Sequence, residues 1–150
     1  MGTGAEDVLK LEVVVEVPRG SFLKRSSSGK VDFFSPFPCP FNYGSVRELF
    51  GPDGDPLDAV LLGPRVPKGK RATVLVVGAV QLVDRGSIDD KLVCSTRPLG
   101  RCDRYMVLLF FKFYAACKRL LYMIRRLPGS TYCVGWCDPK SAIERARLSL

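Results

Sequence analysis

The sequence predicts a small antiparallel β-barrel with a long helix packed beside it. Three observations carry this. Short β-branched and apolar segments recur through the first two thirds of the chain, and turns rather than helices join them. A long segment at helical periodicity comes only after them, apolar around most of its circumference. The chain has 150 residues and is 47% hydrophobic, about one domain with enough apolar material for a core, so residues 1–150 are expected to form a single domain.

The first strand is Leu11-Glu12-Val13-Val14-Val15-Glu16-Val17, ended by Pro18, with Glu12 and Glu16 at even spacing. Arg19 to Lys30 is polar and closes on SSSGK, a loop or loose hairpin before Val31-Asp32-Phe33-Phe34. The stretch SPFPCPFNYG, residues 35–44, has three prolines and reads as an ordered loop or a sheet edge. Strand segments follow at Ala59–Leu62, at Ala72–Asp84 with a bend at Gly78, and at Lys91–Ser95. The helix runs from about Tyr105 to Arg126 and carries a narrow basic stripe of Lys112, Arg119 and Arg126, with Lys118 and Arg125 beside it. Its apolar coverage predicts burial on more than one side, against the barrel and against another subunit. Asp138 and Pro139 supply the cap and first-turn proline of a short final helix, Lys140 to Leu148.

Several function classes are excluded. The chain has no histidine, which removes Ser-His and Cys-His pairs and the commonest general base. The N-terminus has Glu6 and Asp7 where a secretory signal needs basic and then apolar residues, so a cytoplasmic location is expected. Six scattered cysteines in a chain with ample apolar residues are expected to be reduced and mostly buried. Cys133 and Cys137 have no second pair to complete a zinc site. The apolar run Met106 to Phe111 is far shorter than the ~18 residues of a membrane span.

Within a chain of net charge +8, the run Asp53-Gly54-Asp55-Pro56-Leu57-Asp58 gathers three carboxylates. A solvated turn explains the Asp, Gly and Pro types. A helix-loop-helix calcium loop does not fit, because Asp58 stands where that loop needs Gly and Pro64 where it needs the closing Glu. Magnesium or manganese fits better, since such ions take a few carboxylates and keep positions for water and substrate phosphate. Asp84, Asp89 and Glu16 are further carboxylate candidates, and Lys24, Lys91, Tyr43 and Tyr114 are candidate phosphate-oxygen partners.

These residues resemble the soluble family I inorganic pyrophosphatases. Asp53 to Ala59 fits that family's signature at every position, and EVP at 16–18, VD at 31–32, NYG at 42–44, VDRGSIDDKLV at 83–93 and GW at 135–136 follow in the family's order. The resemblance spans about Glu12 to Ile143. It implies an OB-like five-stranded closed barrel with a long helix and a short C-terminal helix beside it, and hydrolysis of pyrophosphate to two phosphates by a metal-activated water. By position, Asp53, Asp58 and Asp89 would share one metal, Asp58 would also touch a second, and Asp84 with Asp89 would hold one arriving with substrate. Asp55 would orient and deprotonate the attacking water. Glu16 would act in the outer shell, and Lys24, Tyr43, Lys91 and Tyr114 would hold phosphoryl oxygens. The implied cofactor is Mg²⁺, with Mn²⁺ or another divalent cation as substitutes, and the implied assembly is a homo-oligomer, commonly a hexamer.

Four positions depart from the family pattern. Phe33 replaces a phosphate-binding Arg, Ser26 a Glu, Cys39 a Tyr, and Ala115 the Lys after Tyr114. Arg25, Lys30 and Arg47 are candidate replacements for a lost phosphate contact. The departures keep open a degenerate pyrophosphatase fold that binds metal or phosphate with little turnover. A nucleic-acid-binding OB barrel is the other alternative, motivated by the charge. It is disfavoured because much of that charge lies on the late helix and C-terminus, and an acidic cluster repels nucleic acid. Neither nucleic acid nor membrane is an expected partner.

Overall fold

The computed structural model describes residues 10–25, 33–51 and 54–148, and their side chains except at 23–25, 33–37 and 147–148. The elements are β1 Lys10–Val17, β2 Phe22–Arg25, β3 Phe33–Pro38, β4 Asn42–Phe50, β5 Pro56–Leu62, β6 Arg71–Asp84, β7 Ser87–Ser95, α1 Arg101–Ile124, β8 Thr131–Cys137 and α2 Pro139–Leu148.

The hydrogen-bonded order β1-β4-β5-β7-β6 closes on itself through β1–β6, giving a ring of five strands with β8 attached to β6. All of these pairings are antiparallel except β5 with β7, which departs from the antiparallel expectation because β6 lies between them in the chain and turns back into β7. Closure leaves the ring no unpaired edge. β6 serves β1 with its first residues and β7 and β8 with its later ones, and the register shifts between Val76 and Gly78. The predicted bend at Gly78 is therefore a bulge. A side chain there would meet Trp136, since a Cβ on Gly78 would lie 2.0 Å from the indole Cζ2.

Both faces of the ring are covered. On β5, Leu57, Ala59 and Leu61 pack with Val13, Val15, Leu92, Cys94 and the α2 residues Ala142, Ile143 and Ala146. Val60 and Leu62 point the other way and meet Val80, Leu82, Val93 and the α1 residues Val107, Phe111, Tyr114 and Ala115. Burial on both faces explains why β5 reads as a continuous apolar run rather than an alternating one. The two helices thus occupy opposite faces, and α1 covers the face that carries Asp58.

The prolines of β3 fall in a two-stranded ribbon with β2, outside the ring, in keeping with an edge. The end of the same stretch differs from expectation: Asn42, Tyr43 and Gly44 begin β4, a ring strand paired on both sides. Residues Val46 to Phe50 complete it, and β8 is likewise a strand beyond those predicted. α1 begins four residues before the expected Tyr105, because Asp103 Oδ2 accepts a hydrogen bond from the Gly100 N–H at 3.0 Å and satisfies the helix start. It ends before Arg126, whose φ of 54° lies in the left-handed region. Asp138 Oδ1 accepts from the Lys140 N–H at 3.1 Å, with Pro139 between them, as a cap should. All six cysteines are free, but only Cys39 and Cys94 are buried, three are half-buried and Cys102 is exposed. Among the described residues no helix is long and apolar enough to cross a membrane.

Candidate active site

Strand register builds the site. Ser45 of β4 lies opposite Asp58 of β5, and Asp58 lies beside Lys91 of β7. These side chains form one row on the face that α1 covers. Two residues back along β7, Asp89 shares that face with Lys91, while Asp90 points to the other face and receives both Nε and Nη2 of Arg145 at 2.9 Å. The acidic pair Asp89-Asp90 is thereby divided, one residue for the site and one to fasten α2.

Lys91 is fully buried, and its Nζ donates to Asp58 Oδ2 and also stands 3.0 Å from Asp89 Oδ2. The same ammonium lies 5.9 Å from the ring centres of both Tyr43 and Tyr114. Burial works to lower the Lys91 pKa, but the charges of Asp58 and Asp89 with the two tyrosines prevail and hold it well above the ordinary value. Burial raises the Asp89 pKa, and the neighbouring Asp58 charge adds to this against the opposing pull of Lys91. Tyr43 and Tyr114 are held by ring packing on Phe111, at 6.4 and 6.0 Å between centroids.

Asp84 sits at the end of β6, next to this row. Its Oδ2 receives Lys118 Nζ at 2.9 Å, and its Oδ1 receives the Tyr122 hydroxyl at 3.0 Å and the Thr131 hydroxyl at 2.8 Å. Partial burial pushes this carboxyl up, but Lys118, Thr131 and Tyr122 together hold it below the usual carboxylate range. At the far side Glu16 Oε1 accepts the Ser45 hydroxyl at 2.8 Å. Asp55 lies in the turn before β5, where its carbonyl accepts the Gly51 N–H at 2.9 Å and Gly54 takes a φ of 85° that favours glycine.

The structure therefore brings together Asp58, Asp89, Lys91, Tyr43 and Tyr114, with Asp84 alongside them. Asp53 lies outside the described residues, as do Lys30 and the side chains of Lys24, Arg25 and Phe33. Arg47 is exposed. Ala115 is wholly buried in the core against the barrel.

Sequence reasoning missed four of these neighbours: Ser45, Lys118, Tyr122 and Thr131. It placed Lys118 beside the narrow basic stripe of the helix, whereas Lys118 is buried and turned toward the barrel. The spacing held the signal, because Lys118 and Tyr122 follow Tyr114 at intervals of four and share its helical face.

Asp58 and Asp89 offer hard oxygen donors that already converge on one cation, the Lys91 ammonium, and this donor set suits a magnesium-like ion. Among the described residues no three acidic side chains converge as a complete metal cluster. Asp53 would have to supply a further carboxylate.

Residues 13–105 match the family described as inorganic pyrophosphatase, a segment that contains this carboxylate and lysine row. The chain belongs to that family. It is 32% identical to the inorganic pyrophosphatase of Haemophilus influenzae, over 98% of this chain and 91% of that one. The inorganic pyrophosphatase of Streptomyces coelicolor is 30% identical over 92% and 94%. Among solved structures, an inorganic pyrophosphatase from Coxiella burnetii superposes with a TM-score of 0.67 at 20% identity, covering 94% of this chain and 93% of that one. The type I enzyme of P. falciparum gives 0.70 at 15% identity, covering 93% and 57%. At those identities the structures bear on the fold alone, and it is the pyrophosphatase fold.

Proposed function

We propose that this chain hydrolyses inorganic pyrophosphate to two phosphates, with residues 1–150 acting as one pyrophosphatase domain in the cytoplasm. The observation that carries the proposal is the row of Asp58, Lys91 and Asp89 facing Tyr43 and Tyr114, in a chain whose sequence belongs to the pyrophosphatase family. Asp53, Asp58, Asp84 and Asp89 would hold divalent cations, Mg²⁺ first among them, with Mn²⁺ as a substitute. When bound, such cations polarise the phosphoryl group and acidify water at neutral pH.

The chain's own groups supply the rest. Asp55 would accept the proton of the attacking water at its carboxylate. Lys91 is kept protonated by Asp58 and Asp89 and would give its ammonium to a phosphoryl oxygen. The Tyr43 and Tyr114 hydroxyls, with Lys24, would fix the remaining oxygens and so hold phosphorus in line with the nucleophile. Glu16, braced by Ser45, would orient groups from outside the immediate donor set.

α1 also leaves an apolar stripe outward: Tyr105, Leu109, Phe113, Leu120, Met123 and Ile124 are all exposed. The proposal includes a homo-oligomer, of which the family's hexamer is one form, that covers this stripe.

Release of inorganic phosphate from pyrophosphate in Mg²⁺ tests the activity, with a chelator as control. The reading predicts turnover that disappears on chelation. No release by folded protein in excess Mg²⁺ would overturn it in favour of a fold that only binds.

A further inference from the structure

Lys118 is the buried cation that the sequence pattern did not assign to the site. Its side chain is only 11% exposed and its Nζ sits 2.9 Å from Asp84 Oδ2. The same Nζ lies 5.3 Å from the Tyr114 ring centre, and Lys91 Nζ lies 5.9 Å from that ring. Two ammonium groups therefore flank one buried aromatic ring. They repel each other, so anions must hold them there, and Asp84, Asp58 and Asp89 do so. A chain that needed only to fasten α1 to the sheet has the Tyr122 hydroxyl on Asp84 of β6 already, and Arg119 Nη1 donates to the carbonyl of Thr131 in β8 at 2.8 Å. Ala115, the residue after Tyr114, has no exposed surface and packs in the core. The cation that this helix does bring to the Tyr114 ring comes from the following turn, where Lys118 stands.

We propose that Lys118 is the phosphoryl-binding cation that α1 contributes to the site, and that in the metal-free chain it is parked on Asp84. The proposal rests on the pyrophosphatase reading above and adds a residue to it. A divalent cation that takes Asp84 competes with the Lys118 ammonium. Once displaced, that ammonium is left beside Lys91 with no carboxylate of its own, and the oxygens of pyrophosphate supply the missing anion.

The test is Lys118→Met, with Lys118→Arg as the conservative variant. Two quantities are read: Mg²⁺ affinity by calorimetry without substrate, and the steady-state kinetics of phosphate release. The proposal expects Lys118→Met to bind Mg²⁺ ~3- to 10-fold more tightly, because a competitor is gone. It expects kcat/KM to fall ~10- to 100-fold, and Lys118→Arg to recover most of that loss. A tie that merely fastens the helix would lower Tm and leave metal affinity unchanged. In folded variant, unchanged Mg²⁺ affinity or unchanged kcat/KM overturns the proposal. If Lys118→Met does not fold, Lys118→Gln reads the same two quantities. Should the wild type release no phosphate, the pyrophosphatase reading fails by itself, and Mg²⁺ affinity alone then decides whether Lys118 competes for Asp84.

Discussion

An ammonium group stands where two aspartates meet. Lys91 is buried and serves both Asp58 and Asp89, so these two carboxylates coexist on one face only because a cation lies between them. Removing one member of a buried ion group leaves the others uncompensated, at about 3–5 kcal/mol. Lys91→Met is thus expected to lower Tm by on the order of 10 °C without metal. If the carboxylates are cation ligands, Mg²⁺ should restore much of this, raising Tm of the variant by more than it raises that of the wild type. Differential scanning calorimetry with and without Mg²⁺ checks it, and equal shifts in the two proteins would count against the assignment. Asp58 and Lys91 were legible from sequence as members of an ordered motif set. Their pairing was not, because it depends on parallel register between β5 and β7, strands separated by the whole of β6.

At the scale of elements, α1 positions half the site through Tyr114, Lys118 and Tyr122, and its N-terminus is set by Asp103. That carboxylate receives Arg97 Nη1 and Nη2 at 2.7 and 3.0 Å together with the Gly100 N–H. The Arg97 and Gly100 contacts hold its pKa below the usual value against a small effect of burial. A carboxyl with a lowered folded-state pKa adds stability above its unfolded pKa and loses it as pH falls through the folded value. Asp103→Asn should therefore lower Tm at neutral pH, and the difference from wild type should vanish in acid, below the ordinary Asp range. A difference independent of pH would show that the charge is not what matters. Elements with strong local signals were readable: the apolar run of β5, the bend at Gly78 and the Asp-Pro cap of α2. β4 was hidden behind prolines that belong to β3, and its exposed Arg47 and Glu48 broke the apolar pattern. Lys118 was misplaced for a related reason: the periodicity of α1 yields several basic residues but does not say which of them the barrel will face.

For the whole molecule, one ring cannot cover every apolar face of α1. Leu109 and Met123 are 67% and 74% exposed on the same stripe, which a second copy would bury. Light scattering should find an oligomer, and Leu109→Glu with Met123→Glu should dissociate it, whereas a monomeric wild type at micromolar concentration would contradict the assembly. The four departures from the family pattern leave the carboxylates Asp53, Asp55, Asp58, Asp84 and Asp89 unaltered, and the account stands on those carboxylates. The most direct measurement compares phosphate release from pyrophosphate, and Mg²⁺ binding, in wild type and Asp58→Asn. The account predicts a loss of activity of about 100-fold or more together with weakened Mg²⁺ binding; undiminished hydrolysis by folded Asp58→Asn protein would contradict it.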